Sequence, residues 1–150
     1  MKKLSILLLI TIFMFILNGC NMKSATYEFT NSMEEIISIE LLHNRNEGGV
    51  GTDEENIDLI YELNEEEFES FMDDIYDLET ARCYPPFWGY GDYIAKVTYS
   101  NGDVEMLGSL HIEFIPSEGV DLAGYGDYFF KDAEAFIQIL EEYCELPDEV

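Results

Sequence analysis

The sequence predicts a single small α+β domain, mainly antiparallel sheet with two helices, behind an N-terminal targeting segment. Three observations predict it. Several short runs alternate apolar and polar residues with a period of two, and two other stretches carry apolar stripes at helical spacing. An Asn101-Gly102 dipeptide also separates two of the alternating runs, which marks a hairpin. Helices beside local hairpins make an α+β layer arrangement, because each element must bury one apolar face against another. Of the 150 residues, 47% are hydrophobic and 14% aromatic, enough for one packed core and one domain.

The elements follow in order. Ile37, Ile39 and Leu41 share one face of a strand over 34–42, and the glycine-rich stretch 44–56 is a loop. Ile57, Leu59, Tyr61 and Leu63 alternate with Asp58, Ile60 and Glu62 in a second strand. Asn64 then caps a helix whose stripe is Phe68, Phe71, Met72 and Ile75. Glu65, Glu66 and Glu67 sit where the positive end of its dipole favours them.

A two-residue Asn101-Gly102 loop implies a type I′ turn that pairs Ser100 with Asp103. Counting outward, Tyr99 opposes Val104, Val97 opposes Met106, Ala95 opposes Gly108 and Tyr93 opposes Leu110 on an apolar side. Lys96, Thr98, Glu105 and Leu107 take the other side. The second hairpin strand is expected to continue through 110–115 to a turn at 116–119. Residues 128–130 form a short strand, and Asp132 caps a last helix with the stripe Phe136, Ile139, Leu140 and Tyr143.

Residues 1–20 read MKKLSILLLITIFMFILNGC. Lys2 and Lys3 give a positive start, and 4–17 is an apolar run shorter than the roughly 20 residues of a membrane-spanning helix. The run ends at Leu17, Asn18, Gly19 and Cys20, which resembles the lipobox of bacterial lipoproteins. Asn18 departs from the small or aliphatic residue commonest at its position. The resemblance implies a diacylglyceryl group on the Cys20 thiol and cleavage just before it by a signal peptidase that reads Leu17, Asn18 and Gly19. It divides the chain into a signal peptide (1–19), a lipidated N-terminus with a short tether (20–26) and an acidic α+β domain (27–150). It also puts that domain on the extracytoplasmic face of a bacterial membrane, held by the lipid. Two acyl chains anchor stably where one is marginal, at about 0.8 kcal/mol per buried CH₂. In outline the domain looks like the small uncharacterised lipoproteins of Gram-positive bacteria, a resemblance specific only over 1–20.

Asp and Glu number 32 against 7 Lys and Arg, and losing Lys2 and Lys3 from the formal −25 leaves −27. Such a surface repels phosphate backbones, so nucleic acid is excluded as a partner. It also repels anionic headgroups, so attachment falls to the lipid rather than to a basic patch.

With Cys20 assigned to lipid, Cys83 and Cys144 remain. They are either two buried free thiols or a disulfide, whose closed loop would contribute about 4 kcal/mol by chain entropy. His43 and His111 lack metal-ligand spacing, and His111 is read on the same hairpin face as Glu105 and Glu113. The acidic run 52–58 lacks EF-hand spacing, and no catalytic motif occurs. No catalytic residue, metal site or cofactor is assigned.

The stretch 83–93, CYPPFWGYGDY, packs aromatics around Pro85, Pro86, Gly89 and Gly91, and its Gly-Tyr-Gly-Asp-Tyr returns at 124–128. Two readings stay open. Tyr84, Phe87, Trp88 and Tyr90 contact a ligand from a stiffened loop, or the repeats are strand-entry turns whose aromatics cover the core. The expected function is a membrane-anchored, non-enzymatic acidic domain that binds a protein or a cell-wall component. One alternative is an inhibitor or immunity-type lipoprotein that neutralises a basic protein. The other is an envelope hydrolase working through carboxylates or Cys83 in a deep cleft.

Overall fold

The computed structural model describes residues 23–46, 54–82, 89–118 and 128–147. In these residues the strands are β1 (Lys23–Ser24), β2 (Ile36–Asn44), β3 (Ile57–Glu62), β4 (Thr80–Arg82), β5 (Tyr93–Tyr99), β6 (Val104–Gly108), β7 (Ile112–Ile115) and β8 (Tyr128–Phe130). They form one antiparallel sheet in the order β1-β4-β8-β7-β6-β5-β2-β3. Helices α1 (Glu65–Tyr76) and α2 (Ala133–Tyr143) complete an α+β domain that is mostly sheet, as the sequence predicts.

Each helix starts where a local polar residue can cap it. The Glu67 carboxylate reaches back to the Asn64 N–H at 2.7 Å, and Asp132 Oδ1 accepts from Ala135 N at 3.0 Å. From α1, Phe71, Met72 and Ile75 are buried, and from α2, Phe136 and Leu140. They pack on Ile39, Leu41, Ala95, Val97, Tyr99, Leu107 and Ile112 of the sheet. Burying each large apolar side chain contributes about 1.5–3 kcal/mol, so this face carries most of the fold's stability. The opposite face carries a smaller cluster of Leu42, Tyr90, Ile94 and Met106.

The hairpin differs from the expected one by a single residue. Thr98 pairs with Val104, Val97 with Glu105, Lys96 with Met106 and Ala95 with Leu107. Tyr99 N donates to Asp103 O at 2.9 Å, so Ser100, Asn101 and Gly102 form a three-residue loop. Gly102 alone has positive φ (87°), which excludes a type I′ turn because that turn also needs it at Asn101. The geometry is a type I turn closed by a glycine bulge. A one-residue slip exchanges the faces of a strand. Glu105 therefore points into the core and Met106 to the other side, the reverse of the expectation.

Two further corrections concern strand paths. The chain does not run straight on after Gly108 but turns, with Gly108 N donating to His111 O at 2.9 Å, and β7 returns along β6. In β2 the register shifts between Ile36 and Ser38, which turns Ile37 outward, 58% exposed, away from its expected face. Leu59 on the edge strand β3 is likewise 56% exposed.

Between β1 and β2 the chain crosses the core face as a strap. Thr80 Oγ1 accepts from Tyr27 N at 2.8 Å and donates to Ala25 O at 2.7 Å, and Asn31 Nδ2 donates to Asp103 Oδ2 at 3.1 Å. A 3-10 turn (Met33–Glu35) then leads into β2.

Candidate functional site

Of the aromatic stretch, Cys83, Tyr84, Phe87 and Trp88 lie outside the described residues, whereas 89–93 lie within them. Tyr90 is only 4% exposed, packed with Leu42, Ile94 and Met106, and its hydroxyl donates to the Glu113 carboxylate. Its ring meets His111 edge-on at 5.5 Å. Burial, and then the Glu113 carboxylate, hold the phenol well above its ordinary pKa. A ligand cannot reach a ring enclosed in this way, so Tyr90 is corrected from contact residue to buried pin.

The glycines around it explain how it gets there. Gly89 and Gly91 have φ of 100° and 92°. A Cβ on Gly108 would lie 2.2 Å from the Tyr90 carbonyl oxygen, so the Tyr90 backbone crosses β6 where no side chain stands. The first Gly-Tyr-Gly-Asp-Tyr is thus a strand-entry crossing: Asp92 O accepts from Asn44 N at 2.7 Å, and Tyr93 stacks on His43 at 5.3 Å. Of the second copy, Tyr128 is described. It lies half-buried beneath the Arg82 guanidinium, 5.0 Å from its ring centroid.

The other expected residues separate. Glu105 and Glu113 occupy opposite faces of the sheet, so the carboxylates expected together beside His111 are split. His43 is buried and His111 half-buried. Cys144 carries a free thiol whose Sγ lies 3.8 Å from Leu140 O, and burial raises its pKa. Cys83, the other half of the expected pair, lies outside the described residues.

The feature that sequence reasoning missed is Glu105 itself. It is 0% exposed and accepts from Tyr99 OH at 2.6 Å, Tyr27 OH at 3.0 Å and Thr30 N at 3.2 Å. Burial pushes its pKa up, and the bonds from Tyr99, Thr30 and Tyr27 oppose that rise. Tyr27 and Tyr99 are buried and Thr30 is exposed, and by accepting from all three the carboxylate clamps the strap to β6 and is closed to substrate. The strap lines two clefts. One, of about 460 Å³, is lined by Tyr27, Phe29, Tyr76, Thr80, Phe130 and Lys131, with Phe29 edge-on to Tyr76 at 4.5 Å. The other, of about 540 Å³, is lined by Thr26, Tyr27, Glu28, Thr30, Arg82 and Tyr128.

Among the described residues no group of three or more His, Cys, Asp or Glu is set to hold a metal ion. Among them, too, no helix is long and apolar enough to cross a membrane. No protein-family model, no curated protein and no solved structure matches the chain, so its function has to be argued from its own residues.

Proposed function

We propose that the protein is a lipid-anchored envelope lipoprotein whose acidic domain is a non-enzymatic binding module for a protein or a cell-wall component. The anchor is Cys20, cleaved and lipidated at the Leu17-Asn18-Gly19-Cys20 boundary, and the contact residues are Tyr84, Phe87 and Trp88. The observation that carries the binding reading is the fixing of both roots of 83–88. Arg82 ends a strand paired on both sides, and Tyr90 is pinned over Gly108 by its own burial and by Glu113. A segment whose flanks on both sides are fixed can present aromatic side chains at low entropic cost.

Two substitutions test the proposal. Cys20→Ser should abolish diacylglyceryl transfer and release the protein from the membrane fraction; a Cys20→Ser chain that is cleaved normally and stays membrane-bound refutes the anchor. Trp88→Ala should reduce recovery of the partner in a crosslinking pull-down from intact cells, with an affinity loss of about 2 kcal/mol or more, and leave the fold's stability nearly unchanged. A drop of about 3–5 kcal/mol in unfolding free energy instead makes Trp88 a core residue and sinks the binding loop.

The net charge of −27, left once Lys2 and Lys3 are lost from the formal −25, supports a second reading, an inhibitor or immunity-type lipoprotein directed at a basic protein. Tight, strongly salt-sensitive binding to one basic protein selects it over a wall-component binder.

A further inference from the structure

We propose that the 460 Å³ cleft between the strap and the end of α1 receives an arginine side chain of a basic protein, its guanidinium resting on the Tyr76 ring and paired with Asp77. This deepens the reading of a domain directed at a basic protein, and it rests on that reading. The site begins with the ring. Tyr76 ends α1 and is 42% exposed, and Phe29, which itself meets Tyr27 edge-on at 5.1 Å, props it. A large aromatic left open beside a cleft attracts a flat cation.

Charge then selects the occupant. Asp73 and Asp77 stand one turn apart at the C-terminal end of α1, whose last turn holds no basic residue. Like charges at that spacing repel, and the negative end of the helix dipole disfavours both. Asp77 is exposed and lines the cleft, and no salt bridge among the described residues involves it or Asp73. The cleft's own ammonium, Lys131, meets a different carboxylate, Glu79, at 2.8 Å. Burial, and then the Glu105 and Asp73 carboxylates, hold the Tyr76 phenol above its ordinary pKa, in keeping with a negative potential at the ring. A cation brought between Tyr76 and Asp77 relieves the repulsion. An uncharged sugar stacked on the same ring would leave it in place.

Arginine suits the cleft better than lysine does. Its planar fork can lie on a ring and still give two parallel bonds to a carboxylate, whereas an ammonium is a compact, strongly hydrated charge. The domain's large negative charge steers a basic protein towards it, and the cleft then fixes one of that protein's side chains.

The probe is the peptide acetyl-glycyl-arginyl-glycinamide, with a twin in which citrulline, of the same shape but uncharged, replaces arginine. The full chain in uncharged detergent micelles is titrated with each, and the NMR signals of the Tyr76 ring and the Thr80 amide are followed. The arginine peptide should shift them to saturation and the citrulline peptide should not. Tyr76→Leu and Asp77→Asn should each weaken binding about two- to fivefold. Asp77→Asn also removes the repulsion from Asp73, so its loss of binding should come with no loss of stability in urea. Glu62→Gln removes the same charge from β3, at the far end of the sheet order from β4, and should leave binding unchanged. Equal shifts with the citrulline peptide, or equal weakening by Glu62→Gln, overturn the proposal. A crosslinking pull-down from intact cells shows which premise fails. The Tyr76→Leu, Asp77→Asn double variant should recover less of a basic partner than the wild type. A basic protein recovered equally by both keeps the basic-protein reading and overturns the cleft as its seat, and recovery of no basic protein overturns both.

Discussion

On the core face of the sheet Tyr99 donates to Glu105, and on the opposite face Tyr90 donates to Glu113. The chemistry is the same, a phenol on a carboxylate across neighbouring elements, but the surroundings differ. Glu105 has no exposed surface and gathers two more donors, Tyr27 OH and Thr30 N, from a strap that is otherwise irregular. Glu113 is half-buried and serves the one phenol that closes a four-residue cluster. Each pair ties an irregular segment to the sheet, the strap in one case and the root of the aromatic stretch in the other. The difference shows how burial converts one hydrogen bond into either a structural linchpin or a local pin, because the cost of an unmet donor rises with its distance from water.

Removing the two carboxylates in turn should separate these roles. Glu105→Leu leaves Tyr27 OH, Tyr99 OH and Thr30 N–H without their acceptor, at about 1–3 kcal/mol for each group that stays buried. The expected loss in urea unfolding is about 3 kcal/mol or more, whereas Glu113→Leu should cost under about 1 kcal/mol because water can replace it. Equal losses would remove the distinction between the two faces. Next in size is Gly108→Ala, whose Cβ would lie 2.2 Å from the Tyr90 carbonyl oxygen and 2.6 Å from Tyr90 Cβ. Backbone must shift to admit it, so a loss of about 1–3 kcal/mol is expected. An unchanged midpoint would mean that Tyr90 does not cross β6 there.

The helices were legible in the sequence because their signals are local. Asn64 with Glu67, and Asp132 with Ala135, lie within one turn, and the stripes behind them follow a fixed period. The hairpin was legible as a hairpin but not in register. Asn101-Gly102 serves a two-residue loop and a three-residue loop alike, and β6 carries apolar residues on both faces, Met106 on one and Leu107 on the other. A glutamate at 105 then tipped the pattern the wrong way, since a charged residue reads as solvent-facing. What makes its burial tolerable is Tyr99 together with Thr30 and Tyr27 of the strap, 75 and 78 residues away, and nothing local announces the strap contacts. Tyr90 misled for a similar reason: an aromatic between glycines reads as displayed, and only the close approach to Gly108 reveals that it is enclosed. The one candidate site residue within the described part of the aromatic stretch is therefore structural, and the binding proposal passes to Tyr84, Phe87 and Trp88.

The central claim is that the slipped register encloses Glu105 as a carboxylate, and its titration tests this most directly. Burial raises the folded-state pKa above the ordinary 4.5. From about pH 4.5 upward the unfolded chain gives up this proton more readily than the folded one, so the contribution of Glu105 to stability falls as pH rises through that window. Glu105→Gln keeps the shape and an accepting oxygen but has no proton to lose. Urea unfolding of the two proteins, taken in parallel from pH 4 to pH 8, should show Glu105→Gln gaining on the wild type as pH rises. A difference that stays constant, or that moves in favour of the wild type, would contradict an enclosed Glu105 on which burial outweighs the three donors.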